Sequence, residues 1–195
     1  MGDIQTAAKA YLDLLDIEYQ IVLGRKKKNV LMSIAFDETH FFHLAGLHYL
    51  TDRTTLLYGD RAQLFRKIIS GVISPQQIES SAFYSQIKER IEFLAFLEKI
   101  LDSNKTVFKY NPQLDTFSAI QADFLLKNEI RSRNIFTFLS NDTMSGKYFC
   151  RSFFPQKDKD YSVGQTNWTL LYKKKIHISM GLEEILYNRM ISLGQ

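Results

Sequence analysis

Phe36–Leu50 reads FDETHFFHLAGLHYL, and three of the chain's four histidines fall inside it, at positions 40, 43 and 48. Asp37 suits a helix N-cap, with Glu38 in the first turn. The periodicity predicts a helix with His40, His43, Leu44, Leu47 and Leu50 on one stripe and His48 leaving its edge near Phe41. Gly46 is costly there, about 1 kcal/mol relative to alanine, so something must approach the backbone closely at that point. The stretch reads as a buried helix that carries an imidazole into a site on the rest of the chain.

Working outward toward the N-terminus, Asp3–Ile17 predicts a helix with Ile4, Ala8, Tyr11 and Leu15 on one face. Tyr19–Leu23 and Asn29–Phe36 predict a hairpin whose tip is cationic, through Lys26 and Lys27. Toward the C-terminus, Asp60 starts a helix that Gly71 ends, and Ser74-Pro75-Gln76-Gln77 starts a shorter one through a capping box. Ser80–Asp102 predicts the longest helix, a structural brace with Ile87, Ile91, Leu94, Leu97 and Leu101 in one stripe.

After Asn111-Pro112 the runs Ile120–Leu126, Asn134–Ser140, Gly146–Phe154 and Asn167–Lys173 are β-prone and separated by polar turns. The first is ambiguous, because Ala122–Lys127 also fits a helix. A terminal helix is expected over about Gly181–Ile191. The fold class is therefore α+β: N-terminal helices packed on a four-stranded antiparallel β-meander, with an additional N-terminal hairpin. It is read as one domain over 1–195, with hairpin and helices in 1–110, sheet in 111–180 and a C-terminal helix in 181–195.

Composition narrows the function. The balance of charge is +4 with a pI near 9.0, which permits an anionic partner without requiring one. Cys150 is the single cysteine, which excludes an internal disulfide and a thiolate zinc site. The N-terminus lacks the pattern of a secretory signal and no apolar run is long enough to span a bilayer, so a cytoplasmic protein is expected. No GxGxxG, phosphate loop or GxSxG elbow occurs, and no cofactor is expected.

Histidines, cations and aromatics remain. His40 and His43 can share an ion, with Glu38 or His177 as a third ligand, but a hydrogen-bonded core histidine is the plainer reading and no metal site is expected. Strand alternation puts Arg151 on the face of Phe149 and Phe153, and Ser152 on that of Cys150 and Phe154. It likewise puts Thr169 and Lys173 on one face, opposite Trp168. Lys173-Lys174-Lys175 and Lys26-Lys27-Lys28 read singly as solvated charge and together as a field for phosphate.

His43-Leu-Ala-Gly-Leu47 after an aromatic pair, Ser152-Phe-Phe-Pro155, Tyr161, Gln165 and Trp168-Thr-Leu-Leu-Tyr-Lys173 resemble a phage-associated family of barnase–EndoU–colicin–RelE-like nucleases, its fourth phage subgroup. The resemblance runs from about Tyr11 to Lys175. It implies a metal-independent endoribonuclease of toxin or mobile-element type, cleaving RNA by attack of the 2′-OH to leave a 2′,3′-cyclic phosphate. The family's histidine falls on His43, and its strand-borne polar positions on Arg151 or Ser152 and on Thr169 or Lys173. His43 would act as base or acid, and Arg151 and Lys173 would stabilise the phosphorane. His48, Tyr161, Gln165, Trp168, Lys26 and Lys27 would contact substrate. RNA is the implied partner, with an antitoxin or immunity protein as a second; no membrane is involved. The alternative is a non-catalytic RNA- or protein-binding module on the same scaffold, and a third reading is a metal-dependent hydrolase using His40 and His43.

Overall fold

A computed structural model describes residues 3–114 and 118–190. The chain opens with helix α1, Ile4–Leu14, capped by the Asp3 carboxylate accepting from the Thr6 amide at 2.7 Å. Strands β1 (Ile17–Arg25) and β2 (Lys28–Ile34) then form the expected hairpin. Its tip residues Lys26 and Lys27 have φ of 47° and 65°, the left-handed pair of a two-residue turn that matches strand twist.

The stretch 36–50 is helical but not one helix. A 3₁₀ turn at Glu38–His40, capped by Asp37, leads into helix α2, Phe41–Leu44. Gly46, at φ 78°, breaks the path before a second 3₁₀ turn at Leu47–Tyr49. Helix α3 (Arg61–Ile69) is capped by Asp60, and α4 (Pro75–Glu79) carries the full capping box of Ser74 and Gln77. The expected long brace is divided into a 3₁₀ turn at Tyr84–Gln86, helix α5 (Lys88–Leu94) and helix α6 (Leu97–Ser103).

Strands β3 (Thr106–Lys109), β4 (Phe124–Ile130), β5 (Arg133–Asn141), β6 (Tyr148–Pro155), β7 (Thr166–His177) and β8 (Leu182–Asn188) complete the fold. The order is β1-β2-β6-β5-β4-β3-β7-β8, and β1 also pairs with β7. The α+β class holds, but the sheet is a mixed barrel closed by β1 and β7 rather than a four-stranded meander beside a separate hairpin. The hairpin is part of the wall, and its joint with β6 is a short parallel one, Ile34 opposite Tyr148. The ambiguous Ala122–Lys127 segment falls largely in β4. The segment expected as a C-terminal helix is β8, paired antiparallel with the long β7; residues 191–195 lie outside the described residues. Leu182, Ile185 and Leu186 do stand at helical spacing, but the open backbone edge of β7 supplies a ladder that overrides that pattern.

One large core lies between the helices and a face of the curled sheet, joining Ile4, Tyr11, Phe41, Phe65 and Ile91 to Tyr19, Ile21, Leu126, Ile135 and Phe153. A smaller aromatic cluster, Tyr110, Leu125, Phe136 and Phe138 with Phe154 and Tyr161 against it, occupies the other face of β4–β6. Two β-bulges decide which side chains reach which face. At β5–β6, Phe138 pairs with Ser152 and Leu139 with Cys150, so Arg151 is the extra residue. At β1–β7, Val22 pairs with Tyr172 and Leu23 with Leu170, so Leu171 is extra. Each bulge reverses the alternation beyond it.

Candidate active site

Helix α2 and helix α5 both pack against β6. Gly46 explains how the helical arm is shaped. A Cβ on Gly46 would stand 2.9 Å from Ile87 Cγ2 and 3.1 Å from Arg90 Cδ, so the group that approaches the backbone here is the start of the α5 region. The break also re-aims the second turn. In one continuous helix His43 and His48 would point about 140° apart, whereas here their ring centroids are 5.1 Å apart. His48 in turn lies 4.1 Å from the Tyr49 ring.

Cations flank this ridge of rings. Arg61 stacks over Phe42 at 3.5 Å, and Phe42 meets His43 edge-on. On the other side Arg90 lies 5.4 Å from the Tyr49 ring and 5.5 Å from that of Phe154. A cavity of about 540 Å³ opens there, lined by Tyr49, Arg90, Ser152, Phe154, Lys157 and Tyr161 among others. A second, of about 530 Å³, opens on the Arg61 side, against Phe42, His48 and Tyr58.

Burial and the flanking cations together set the electrostatics. Partial burial, then Arg61 and Arg151, lower the His43 pKa from its ordinary value. Burial first, then His43, Arg90 and Arg61, hold His48 at about 4. Both imidazoles are therefore neutral at physiological pH and able to accept a proton. His40 is also lowered, chiefly by burial, and stacks on Phe149 with centroids 4.7 Å apart.

The sequence-derived candidates separate into two groups. His43, His48, Arg151, Ser152 and Tyr161 lie around α2 and β6: Arg151 is exposed on its bulge, and Ser152 and Tyr161 line the cavity. Simple alternation placed Ser152 on the face of Cys150. The bulge parts them, keeping Cys150 and Phe153 together in the main core while Ser152 stays on the side of Phe154, as alternation also had it. Cys150 is wholly packed, with burial pushing its thiol up to about 12.

Thr169, Lys173, Gln165, Trp168, Lys26 and Lys27 lie elsewhere. Strand β7 is separated from β6 by two strands, β1 and β2, on the short way round the barrel. The bulge at Leu171 breaks the shared face of Thr169 and Lys173, leaving Thr169 exposed and turning Lys173 inward. The Lys173 ammonium donates to the carbonyls of Leu101, at 2.6 Å, and of Asn104, and reaches that of Asp102 at 3.5 Å. It thus caps the C-terminal end of α6, where unpaired carbonyls favour a cation. Lys175 is also buried and pairs with Glu98 and Asp102, and Lys174 pairs with Glu183. All three ammonium groups of the run are thus engaged within the protein.

Gln165 exchanges hydrogen bonds with the backbone of Asn111, at 2.7 and 3.2 Å. Trp168 packs edge-on to Phe124. Lys26 and Lys27 sit about 20 Å along β2 from its joint with β6. His177, the suggested distant ligand, pairs with Ile17 and Leu182 on β7. Among the described residues no three His, Cys, Asp or Glu side chains gather as a metal site.

Sequence reading passed over Arg90, Tyr49 and Arg61. For Arg90 the signal was present: it lies three residues after Ile87 and four before Leu94, on the apolar stripe of its helix, where a charge needs a reason.

The architecture is that of an α+β barrel protein with a histidine-bearing arm set against a cationic strand bulge and an aromatic-lined cleft. Residues 3–189 match the model of the family described as phage-Barnase-EndoU-ColicinE5/D-RelE like nuclease4, and the chain belongs to that family. No curated protein and no solved structure matches it. A nuclease family implies a nucleic-acid substrate, and no helix among the described residues is long and apolar enough to cross a membrane.

Proposed function

We propose that the chain is an endoribonuclease that needs no metal ion, in which the RNA supplies its own nucleophile. His43 removes the 2′-OH proton as the oxygen attacks the adjacent phosphorus; the bond from phosphorus to the 5′-oxygen breaks and that oxygen takes a proton from water, giving a 2′,3′-cyclic phosphate. Arg151 stabilises the charge that builds on the phosphorane oxygens. Ser152, on the cavity side of the same bulge, orients the phosphate. The observation that carries this reading is the bulge at β6: it presents an exposed guanidinium close enough to lower the His43 pKa, on the strand against which α2 packs. A neutral, exposed imidazole is a competent base at neutral pH. Thr169 and Lys173 take no part. The toxin or mobile-element role, with a protein inhibitor as partner, accompanies this activity, and the phage association of the family supports it.

A second reading, a module that binds RNA without cutting it, is favoured by one observation. With His48 held at about 4 and His43 lowered as well, neither imidazole carries a proton to give the leaving oxygen at neutral pH. The deciding experiment incubates mixed RNA with the protein and with His43→Ala, each with and without EDTA. Cleavage that survives EDTA and disappears in the variant supports the ribonuclease. Intact RNA retained by both proteins supports the binding module, and cleavage lost with EDTA overturns both.

A further inference from the structure

Arg90 is an expensive residue where it stands. It is 9% exposed, yet no carboxylate among the described residues pairs with it. Its Nη1 donates to the His43 carbonyl at 3.3 Å, while its Nε is buried with no hydrogen-bond partner. A guanidinium does not give up its proton in a protein, so a positive charge is held out of water without a counter-charge. Burial already pulls its pKa down, and the Tyr49 side chain offsets this in part. Leucine or methionine would fill the same stripe beside Ile87, Ile91 and Leu94 at less cost.

What Arg90 faces is the cavity of about 540 Å³, which falls in the range of about 300–1,000 Å³ usual for small-ligand sites. Tyr49, Phe154 and Tyr161 give it aromatic walls, and Ser152 and the exposed Lys157 add polar and cationic groups. The lining acids are Glu89, held by Arg133 at 3.0 Å, and the exposed Asp158. Tyr49 lies both over Arg90 and beside His48, so the cavity continues directly from the histidine ridge.

We propose that this cavity is a nucleotide subsite for single-stranded RNA, in which Arg90 takes the phosphate next to the scissile one and the neighbouring base lies against Tyr49 and Phe154. The proposal rests on the ribonuclease reading of His43 for its placement along the strand. An anion on Arg90 removes the uncompensated charge, and a guanidinium fork matches phosphate oxygens in pairs. An aromatic wall accepts a base only when it is unstacked, which selects single strands over duplex.

The probe is a 2′-O-methyl RNA hexanucleotide, which cannot be cleaved through its 2′ oxygen. Its binding is measured by calorimetry at several salt concentrations, with amide shifts mapped by NMR. Wild type should bind, with shifts at Tyr49, Ser152 and Tyr161. Arg90→Gln should bind about tenfold more weakly or worse, and Arg90→Lys should recover only part of the loss. Lys157→Glu, at an exposed position, should weaken binding and flatten the salt dependence by about 0.7 in slope. Full affinity in folded Arg90→Gln, shifts confined to residues outside the cavity, or no binding by wild type overturns the proposal. If Arg90→Gln does not fold, unchanged affinity in Lys157→Glu together with a silent cavity overturns it equally. Loss of cleavage in His43→Ala with unchanged binding in Arg90→Gln sinks the subsite and leaves the nuclease. Cavity binding without cleavage by any form does the reverse.

Discussion

Replacing Gly46 by alanine tests the device that brings the two halves of the candidate site together. Gly46 has φ 78°, a conformation that costs an L-residue about 1–2 kcal/mol. The new Cβ would also stand 2.9 Å from Ile87 Cγ2, 3.1 Å from Arg90 Cδ and 3.3 Å from Arg90 Nε. Ile87 is fully buried, whereas Arg90 borders the cavity and can yield toward it, so the contact with Ile87 decides the cost. Overpacking of this kind adds about 1–3 kcal/mol, for a total of about 2–5 kcal/mol. Gly146 supplies the control, with φ 71° and nothing within 4 Å of its would-be Cβ. Gly146→Ala should therefore carry the conformational cost alone, about 1–2 kcal/mol. In a chain of this length each kcal/mol moves the melting temperature by about 2–4 °C. Urea unfolding of both variants, with melting curves alongside, reads the difference. Gly46→Ala should also lose RNA cleavage out of proportion to its stability, because the turn that sets His48 beside His43 is displaced. Equal destabilisation by the two substitutions would refute the claim that Gly46 exists to admit α5.

Further outcomes follow from the same geometry. If His43 is the base, kcat/KM rises with pH through an inflection below the ordinary histidine value and then levels, because the neutral form is active. Arg61→Gln removes one of the cations that lower this pKa and should shift the inflection upward, toward 6.5; no shift, or a downward one, counts against the assignment. Lys173→Met should destabilise the protein by about 2–5 kcal/mol in chemical denaturation by leaving the α6 carbonyls unpaired, while cleavage by the folded variant stays intact. A catalytic Lys173 would instead show lost cleavage with little loss of stability. The pair Lys26→Asn and Lys27→Gly should raise stability by roughly 1 kcal/mol, since both positions are left-handed. Cleavage should stay within about twofold of wild type, because the tip lies far along β2 from the β6 joint. A large loss would restore those lysines to the substrate path.

The sequence by itself determined the elements whose signals are local. Asp3, Asp60 and the Ser74–Gln77 box mark helix starts because capping involves residues only three apart, and all three appear in the structure. The β1–β2 hairpin and the strands of 134–154 were legible from their β-branched and aromatic runs, and the family from its short motifs. Gly46 correctly announced a close approach, though not by which residue. Tertiary structure alone decided the rest. A strand's residues declare period two but not where a bulge resets it, and the two bulges, at Arg151 and Leu171, parted Ser152 from Cys150 and Lys173 from Thr169. Barrel closure depends on β1 finding β7 about 150 residues away, a pairing that no local window contains. Segment 182–188 became a strand because a long neighbour offered it unpaired backbone. Arg90 stood in the sequence as a lone charge on an apolar stripe, and only packing against Gly46, Tyr49 and Phe154 turned that anomaly into the wall of a cavity.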